Sequence, residues 1–273
     1  MKINPRAIES TLSIGLEHLT EVMARIGRIY SKQRRLRQCL VKAGAENLPD
    51  YELLQVMLFT INQRADLETV VEELLDRFGG LAEMLSAETE SLAAAGLSLP
   101  EIAGLKLIRE LALRFMRAEL QQRPVVGSWD KLIDYCTAQI AHGRVEEFHI
   151  LFLDRKNALI KDERQQRGTV DHTPVYTREV IKRALELGAS ALILVHNHPS
   201  GDPAPSTADI TVTEDIIKAA APLGIVVHDH LIIGRGAHTS LRDLGFIRSE
   251  AKNTGAPPVA SLSLRHVGLH EEE

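Results

Sequence analysis

"SALILVHNHPSGDPAPSTADI", residues 190–210, carries an unbroken apolar run into a proline-rich loop and then into a helical pattern. Ala191 to Val195 show no polar alternation, so they read as a strand buried on both faces, as in the middle of an α/β sheet. Pro199 cannot donate to a ladder and ends the strand. Residues i and i+2 of a strand share a face, so His196 and His198 project together while Asn197 turns away. "TADITVTEDIIKAAAPLG" (207–224) reads as the following helix, with Asp209 in its first turn. Ligand sites in such sheets lie at the C-terminal strand ends. Two imidazoles and a carboxylate are a three-residue ligand set for catalytic zinc, with water in the fourth position. His196, His198 and Asp209 are therefore the expected metal ligands. The donor set suits zinc, although manganese or iron can use the same ligands. A water on such a zinc ionises near neutral pH and becomes a nucleophile.

Moving outward, "IVVHDHLIIG" (225–234) is a second buried strand. "EEFHILFLD" (146–154) and "ALIKDERQQRGTV" (158–170) are earlier ones. Helices are expected over 130–141 and over 180–187, the second closed by Gly188. "HTSLRDLGF" (238–246) reads as an ending. Strands alternating with helices indicate an α/β domain. His228 and His230 alternate about Asp229, with no third ligand at a sensible spacing. They read as structural or as support for the ligands, with Asp229 a suitable acceptor for a ligand imidazole. His149 and His172 read as surface or packing residues.

The first part of the chain is different in kind. Apolar residues at helical spacing run from Ile8 to Ile29, and "LPDYELLQVMLFTI", "DLETVVEELLDRFGG", "LAEMLSA", "ETESLAAAGL" and "LPEIAGLKLIRELALRFMRAELQQR" follow as helices. Asp66 is a candidate N-cap and Gly79-Gly80 a stop. Pro124, Gly127 and Ser128 in "QQRPVVGSWD" break the periodicity. The reading is an all-helical domain over 1–123, an α/β domain over 124–248, and a disordered tail over 249–273, rich in Ser, Gly and Pro.

At 44% hydrophobic and 25% charged residues, the chain has ample material for a core without metal or disulfide staples. Its two cysteines, Cys39 and Cys136, lie far apart, which argues against a disulfide framework and suits a reducing cytoplasm. The N-terminus does not read as a signal peptide, and no run approaches a membrane span. The net charge of −5 is unevenly spread. Residues 1–42 hold nine Lys/Arg against three Glu, net +6, densest in "KQRRLRQ" (32–38), whereas residues 43–123 hold seven against fourteen, net −7. A basic segment of this kind can touch nucleic acid, although a solvated helix face explains it as well.

The spacing His196, His198, Ser206, Asp209 (H-x-H-x7-S-x-x-D) resembles the signature of the JAMM (MPN-type) metalloenzymes. "LVHNHPSGDPAPSTADI", "DRKNALIKDERQQRGTVDHTPVYTREVIKRAL" and "IVVHDHLIIGRGAHTSLRDLGF" resemble the bacterial RadC family within it, over residues 125–248. The resemblance implies a deaminase-like domain, a mixed sheet flanked by helices, behind a helical domain: α+β and α/β combined. It implies a zinc hydrolase acting on amide or isopeptide bonds, hence a peptide or protein substrate. A glutamate before an earlier strand would be the base. "VEEFHILFLD" offers Glu146 and Glu147, which alternation makes exclusive, and Glu147, directly before Phe148, is the closer match. Ser206 would donate to the oxyanion. "GLSLPEIAGLKLIREL" (96–111) resembles a helix-hairpin-helix, which binds DNA phosphate through backbone amides. It departs from that pattern where Ser98 or Leu99 replaces the second glycine and where Glu101 would oppose a phosphate. The rival reading is a DNA-associated repair or recombination factor, its metal domain a nuclease or a scaffold.

Overall fold

The computed structural model describes residues 5–167 and 175–248. His172 and the 249–273 tail lie outside them. The chain divides into two compact units, Met1–Arg109 and Glu110–Glu273.

The first unit is helical: α1 (Pro5–Ala43), α2 (Asp50–Ile61), α3 (Leu67–Phe78), α4 (Leu81–Ser86), α5 (Thr89–Ala93) and the start of α6 (Leu99–Gln122). Leu54, Leu58 and Phe59 of α2, Leu67, Val71 and Leu74 of α3, Leu92 of α5 and Leu105 of α6 form its core. α3 ends as the sequence anticipates, on Gly79 in the left-handed region (φ 89°). Asp66 precedes α3 but its side chain caps nothing. Its carboxylate is held instead by Arg64, at 2.7 and 3.0 Å.

The division between the units falls inside α6, whereas Pro124 marks only where that helix stops. Leu113, Met116 and Leu120, on the C-terminal half of α6, pack with Val125 and with Leu132 and Tyr135 of α7 (Trp129–Ile140). This half of α6 therefore belongs to the second core.

The second unit is built on a mixed sheet of β1 (Glu147–Leu153), β2 (Leu159–Arg167), β3 (Ala191–Asn197), β4 (Val226–Ile233) and β5 (His238–Ser240). The strand order is β2-β1-β3-β4-β5. Only β3 and β4 run parallel; the other pairs are antiparallel. α8 (Thr177–Leu187) precedes β3, and α9 (Thr207–Ala220) is the crossover from β3 to β4. One sheet face, through Leu151, Ile193, Val195 and Leu231, packs on α7. The other, through Ile150, Phe152, Leu192, Leu194 and Ile232, packs on α8 and α9. Burial on both faces is why β3 carries no alternation. The segment read as a plain ending contains β5, which closes the β4 edge. At three residues it is too short to show a period.

Candidate metal centre

β3 ends beneath the start of α9, and that junction brings the three expected ligands together. His196 Nε2 lies 3.0 Å from His198 Nε2 and 3.2 Å from Asp209 Oδ1. His198 Nε2 is 3.7 Å from Asp209 Oδ2. Ligand atoms about a tetrahedral zinc with bonds of about 2.0–2.1 Å stand about 3.3–3.4 Å apart. The observed separations bracket that edge, and His196, His198 and Asp209 form a group that could hold a metal ion.

The partners of the remaining ring nitrogens assign the tautomers. His198 Nδ1 faces the Asp202 carbonyl at 2.8 Å. A carbonyl only accepts, so Nδ1 carries the proton and Nε2 of the neutral ring keeps its lone pair. His196 Nδ1 is 2.8 Å from His230 Nε2, and His230 Nδ1 is 2.6 Å from Thr213 Oγ1. Thr213 Oγ1 donates in turn to the Asp209 carbonyl. Read backwards, each donor has an acceptor if His230 donates through Nδ1 and accepts through Nε2 from His196. Both ligand imidazoles then aim lone pairs at one point beside a carboxylate, an arrangement suited to a cation. Burial pushes the pKa of His230 well below that of a free histidine, which keeps it neutral for this task. When protonated at Nε2, His198 donates instead to Asp209, and this bond raises its pKa.

Ser206 and Asp209 form a reciprocal cap on α9. Ser206 Oγ accepts from Asp209 N, and Asp209 Oδ2 accepts from Ser206 N at 2.8 Å and from Ser206 Oγ at 2.7 Å. The cap sets the rotamer of the carboxylate at the positive end of the helix dipole. Burial works to raise the Asp209 pKa, but the bonds from Ser206 and those that His196 and His198 give when their Nε2 atoms are protonated prevail and hold it well below the usual carboxylate range.

The structure does not bring Glu147 to this group. In β1, Phe148 pairs with His196 and stacks on its ring. Glu146 precedes β1, and its charge contributes to the raised pKa of His198. Glu147 turns to the other face, where its carboxylate meets His149 Nε2 at 3.3 Å and Arg164 at 3.2 Å. Glu147, the member of the pair preferred from sequence, is thus engaged by His149 and Arg164. His149 is likewise neither a surface nor a simple packing residue. It is buried between Glu147 and Asp162, whose Oδ1 is 3.1 Å from Nδ1.

Asp229 does not support a ligand imidazole either. It accepts from Ser240 Oγ at 2.6 Å and from the amides of His230 and Arg242, and burial raises its pKa to about 6. Its neighbour His230 takes the supporting place, because β4 lies parallel to β3 with His230 opposite Leu194, on the His196 face. His228 instead bonds Asn157 at 2.7 Å. The period-2 pattern of "HDH" flagged His230, whereas nothing local to Thr213 or Asn197 marked either of them.

In the helical unit, the hairpin-like turn before α6 is already filled. Ser98 N and Oγ both bond Glu101 Oε2, at 2.7 and 2.5 Å, and Glu101 is fully buried beside Arg64. A carboxylate from the chain itself thus takes the amide that a phosphate would use.

Among the described residues, no helix is long and apolar enough to cross a membrane. Residues 126–246 match the model of the RadC-like JAB domain. The chain is 52% identical over 213 residues to a UPF0758 protein of Rhodobacter capsulatus, covering 78% of this chain and 100% of that one. It is 50% identical over 220 residues to a UPF0758 protein of Ruegeria pomeroyi, covering 80% and 98%. With these matches running nearly the full length of both relatives, and with a JAMM-type fold around the two histidines and the aspartate, the chain belongs to the RadC (UPF0758) family.

Proposed function

We propose that the protein is a zinc-dependent hydrolase of the JAMM type that cleaves an amide bond in a peptide or protein. The observation that carries the reading is the convergence of the three lone-pair donors at tetrahedral spacing, each with its far side already bonded. A zinc held by His196, His198 and Asp209 would supply a Lewis acid that ionises water near neutral pH.

The remaining roles fall to the chain itself. Glu146, whose charge acts on His198, takes the proton of the attacking water and returns it to the leaving amine. Ser206 has one hydroxyl proton, which it gives to Asp209 Oδ2 in this structure. To donate to the substrate oxyanion it rotates away, and the Ser206 amide continues to hold that same carboxylate oxygen. Phe148 and His230 pad and orient His196.

The first test is metal content per chain by mass spectrometry, for the wild type and Asp209→Ala purified without added metal. About one zinc in the wild type and almost none in the variant is expected; equal, near-zero content in both would sink the proposal. Glu146→Gln should retain zinc and lose about 10²–10⁴-fold in turnover of peptide or isopeptide substrates, with Glu147→Gln far less affected.

A second reading, a nucleic-acid-associated factor, is favoured by one observation. α1 presents Arg25, Arg28, Arg34, Arg35 and Arg37 to solvent, with no carboxylate after Glu21 in that helix. Its mark is binding that weakens steeply with salt and depends on these arginines. The occupied turn at Ser98 leaves α1 as the surface for it.

A further inference from the structure

Glu146 stands just before β1, in a stretch (143–146) with neither helix nor strand, so regular hydrogen bonding does not set its backbone. A general base nevertheless needs a defined backbone direction. Resting on the reading that Glu146 is the base, we infer that Asn197 is the positioning residue that aims it.

Asn197 lies between the two histidine ligands and points to the opposite sheet face, fully buried. Its Oδ1 accepts from Glu147 N at 2.8 Å, and its Nδ2 donates to Val145 O at 3.2 Å and towards Gly143 O at 3.5 Å. Val145 O belongs to the peptide before Glu146, and Glu147 N to the peptide after it. One side chain therefore holds both peptides flanking Glu146 and restricts the two torsions that direct its carboxylate. The same residue is held covalently between the metal ligands, so any small shift of the β3 end carries base and ligands together. The task needs an acceptor and a donor on one short planar group. Aspartate offers acceptors alone and would face Val145 O without a proton to give; leucine or alanine offers neither. Gly143 completes the fit, since a Cβ there would stand 3.3 Å from Asn197 Nδ2 and 3.2 Å from the Ile140 carbonyl.

The test uses the full chain as wild type, Asn197→Ala, Asn197→Asp, Glu146→Gln and the double variant Glu146→Gln/Asn197→Ala. Zinc per chain, hydrogen exchange by mass spectrometry and turnover of a quenched-fluorescence peptide mixture are measured. In both Asn197 variants zinc should stay near one per chain and exchange across 191–196 should match the wild type. Exchange across 143–147 should rise about tenfold or more, as expected for a buried amide that loses its acceptor or sits in a loosened turn. Turnover should fall towards that of Glu146→Gln, and the double variant should be no worse than Glu146→Gln alone. Asn197→Asp, close in shape, keeps the test readable if Asn197→Ala folds poorly.

Unchanged exchange at 143–147 overturns the inference. So does loss of zinc together with fast exchange throughout β3, which would make Asn197 a general structural residue. Additive losses in the double variant, or faster local exchange with full turnover, overturn it too. Full turnover in Glu146→Gln strikes instead at the reading of the base, and the exchange data then still report whether Asn197 orders the segment.

Discussion

Glu146 and Glu147 are one peptide apart, yet Glu147 bonds His149 and Arg164 while the charge of Glu146 acts on His198. Strand alternation makes them exclusive from sequence, but the phase of alternation is set by β1 pairing with β3, some fifty residues on, with Phe148 opposite His196. No local signal carries that register, which is why the grouping of His196, His198 and Asp209, contiguous in one βα unit, was legible and the facing of Glu147 was not. On its own face, Glu147 enters a network with His149, Asp162, Tyr135, Gln139 and Arg164. Burial alone would push the His149 pKa down, but its bonds to Asp162 and Glu147 raise it above the ordinary 6.5. A histidine whose folded pKa exceeds its unfolded value takes up a proton on folding. Its contribution to stability is complete below about pH 6.5 and is lost as pH climbs through the folded value. Burial and the neighbouring carboxylate push Tyr135 up, and hydrogen bonds to His149 and Tyr135 hold Asp162 down against burial, so neither titrates in that window. Thermal unfolding from pH 6 to 9 should therefore show the wild type losing stability with rising pH. His149→Gln should start about 1–3 kcal/mol less stable and lose less over that range. A parallel decline in the two proteins would place the titrating group elsewhere.

At the level of elements, the loop from His198 to Ser206 is held by β4 and the turn that follows it. His198 N bonds Ile233 O, Gly201 N bonds His198 O, and Arg235 N bonds Gly201 O. Gly201 takes φ 92°, open to glycine and strained for other residues. Gly234 sits so close that an added Cβ would meet Gly201 O at 2.3 Å and Pro203 Cδ at 3.1 Å. Gly234→Ala should cost about 1–3 kcal/mol by overpacking and displace His198, weakening zinc retention during dialysis. Wild-type stability and zinc retention in this variant would refute the contact. Helix limits were readable because glycines in the left-handed region end α3 and α8. Asp66 shows where such reading fails: a nearby arginine competes for a side chain that local pattern assigns to the cap.

In the whole molecule, two cores share one continuous helix, and an uninterrupted helical period hides the change of partner halfway along α6. The architecture of the second unit was legible because buried strands, turns and ligands occur in one stretch. The parallel or antiparallel sense of its pairs was not, since pairing is long-range. Each core being its own, chelation of a bound metal should raise hydrogen exchange across β3, the 198–206 loop and the start of α9, and leave α2 and α3 unchanged. With free metal at a hundredfold its dissociation constant, about 2.7 kcal/mol of stabilisation is withdrawn. Equal loosening of both units would contradict two separate cores.

The spacing of the ligands has a consequence for the order of assembly. His196, His198 and Asp209 close a short loop within a single βα unit, whereas Asn197 reaches back to Glu147 across the chain. Short loops close at little entropic cost and early; long-range strand pairing comes later. If the proposed function holds, a nascent or partly folded chain would capture its ion before the residue that would use it is in place, and retained metal would not by itself report a finished catalyst.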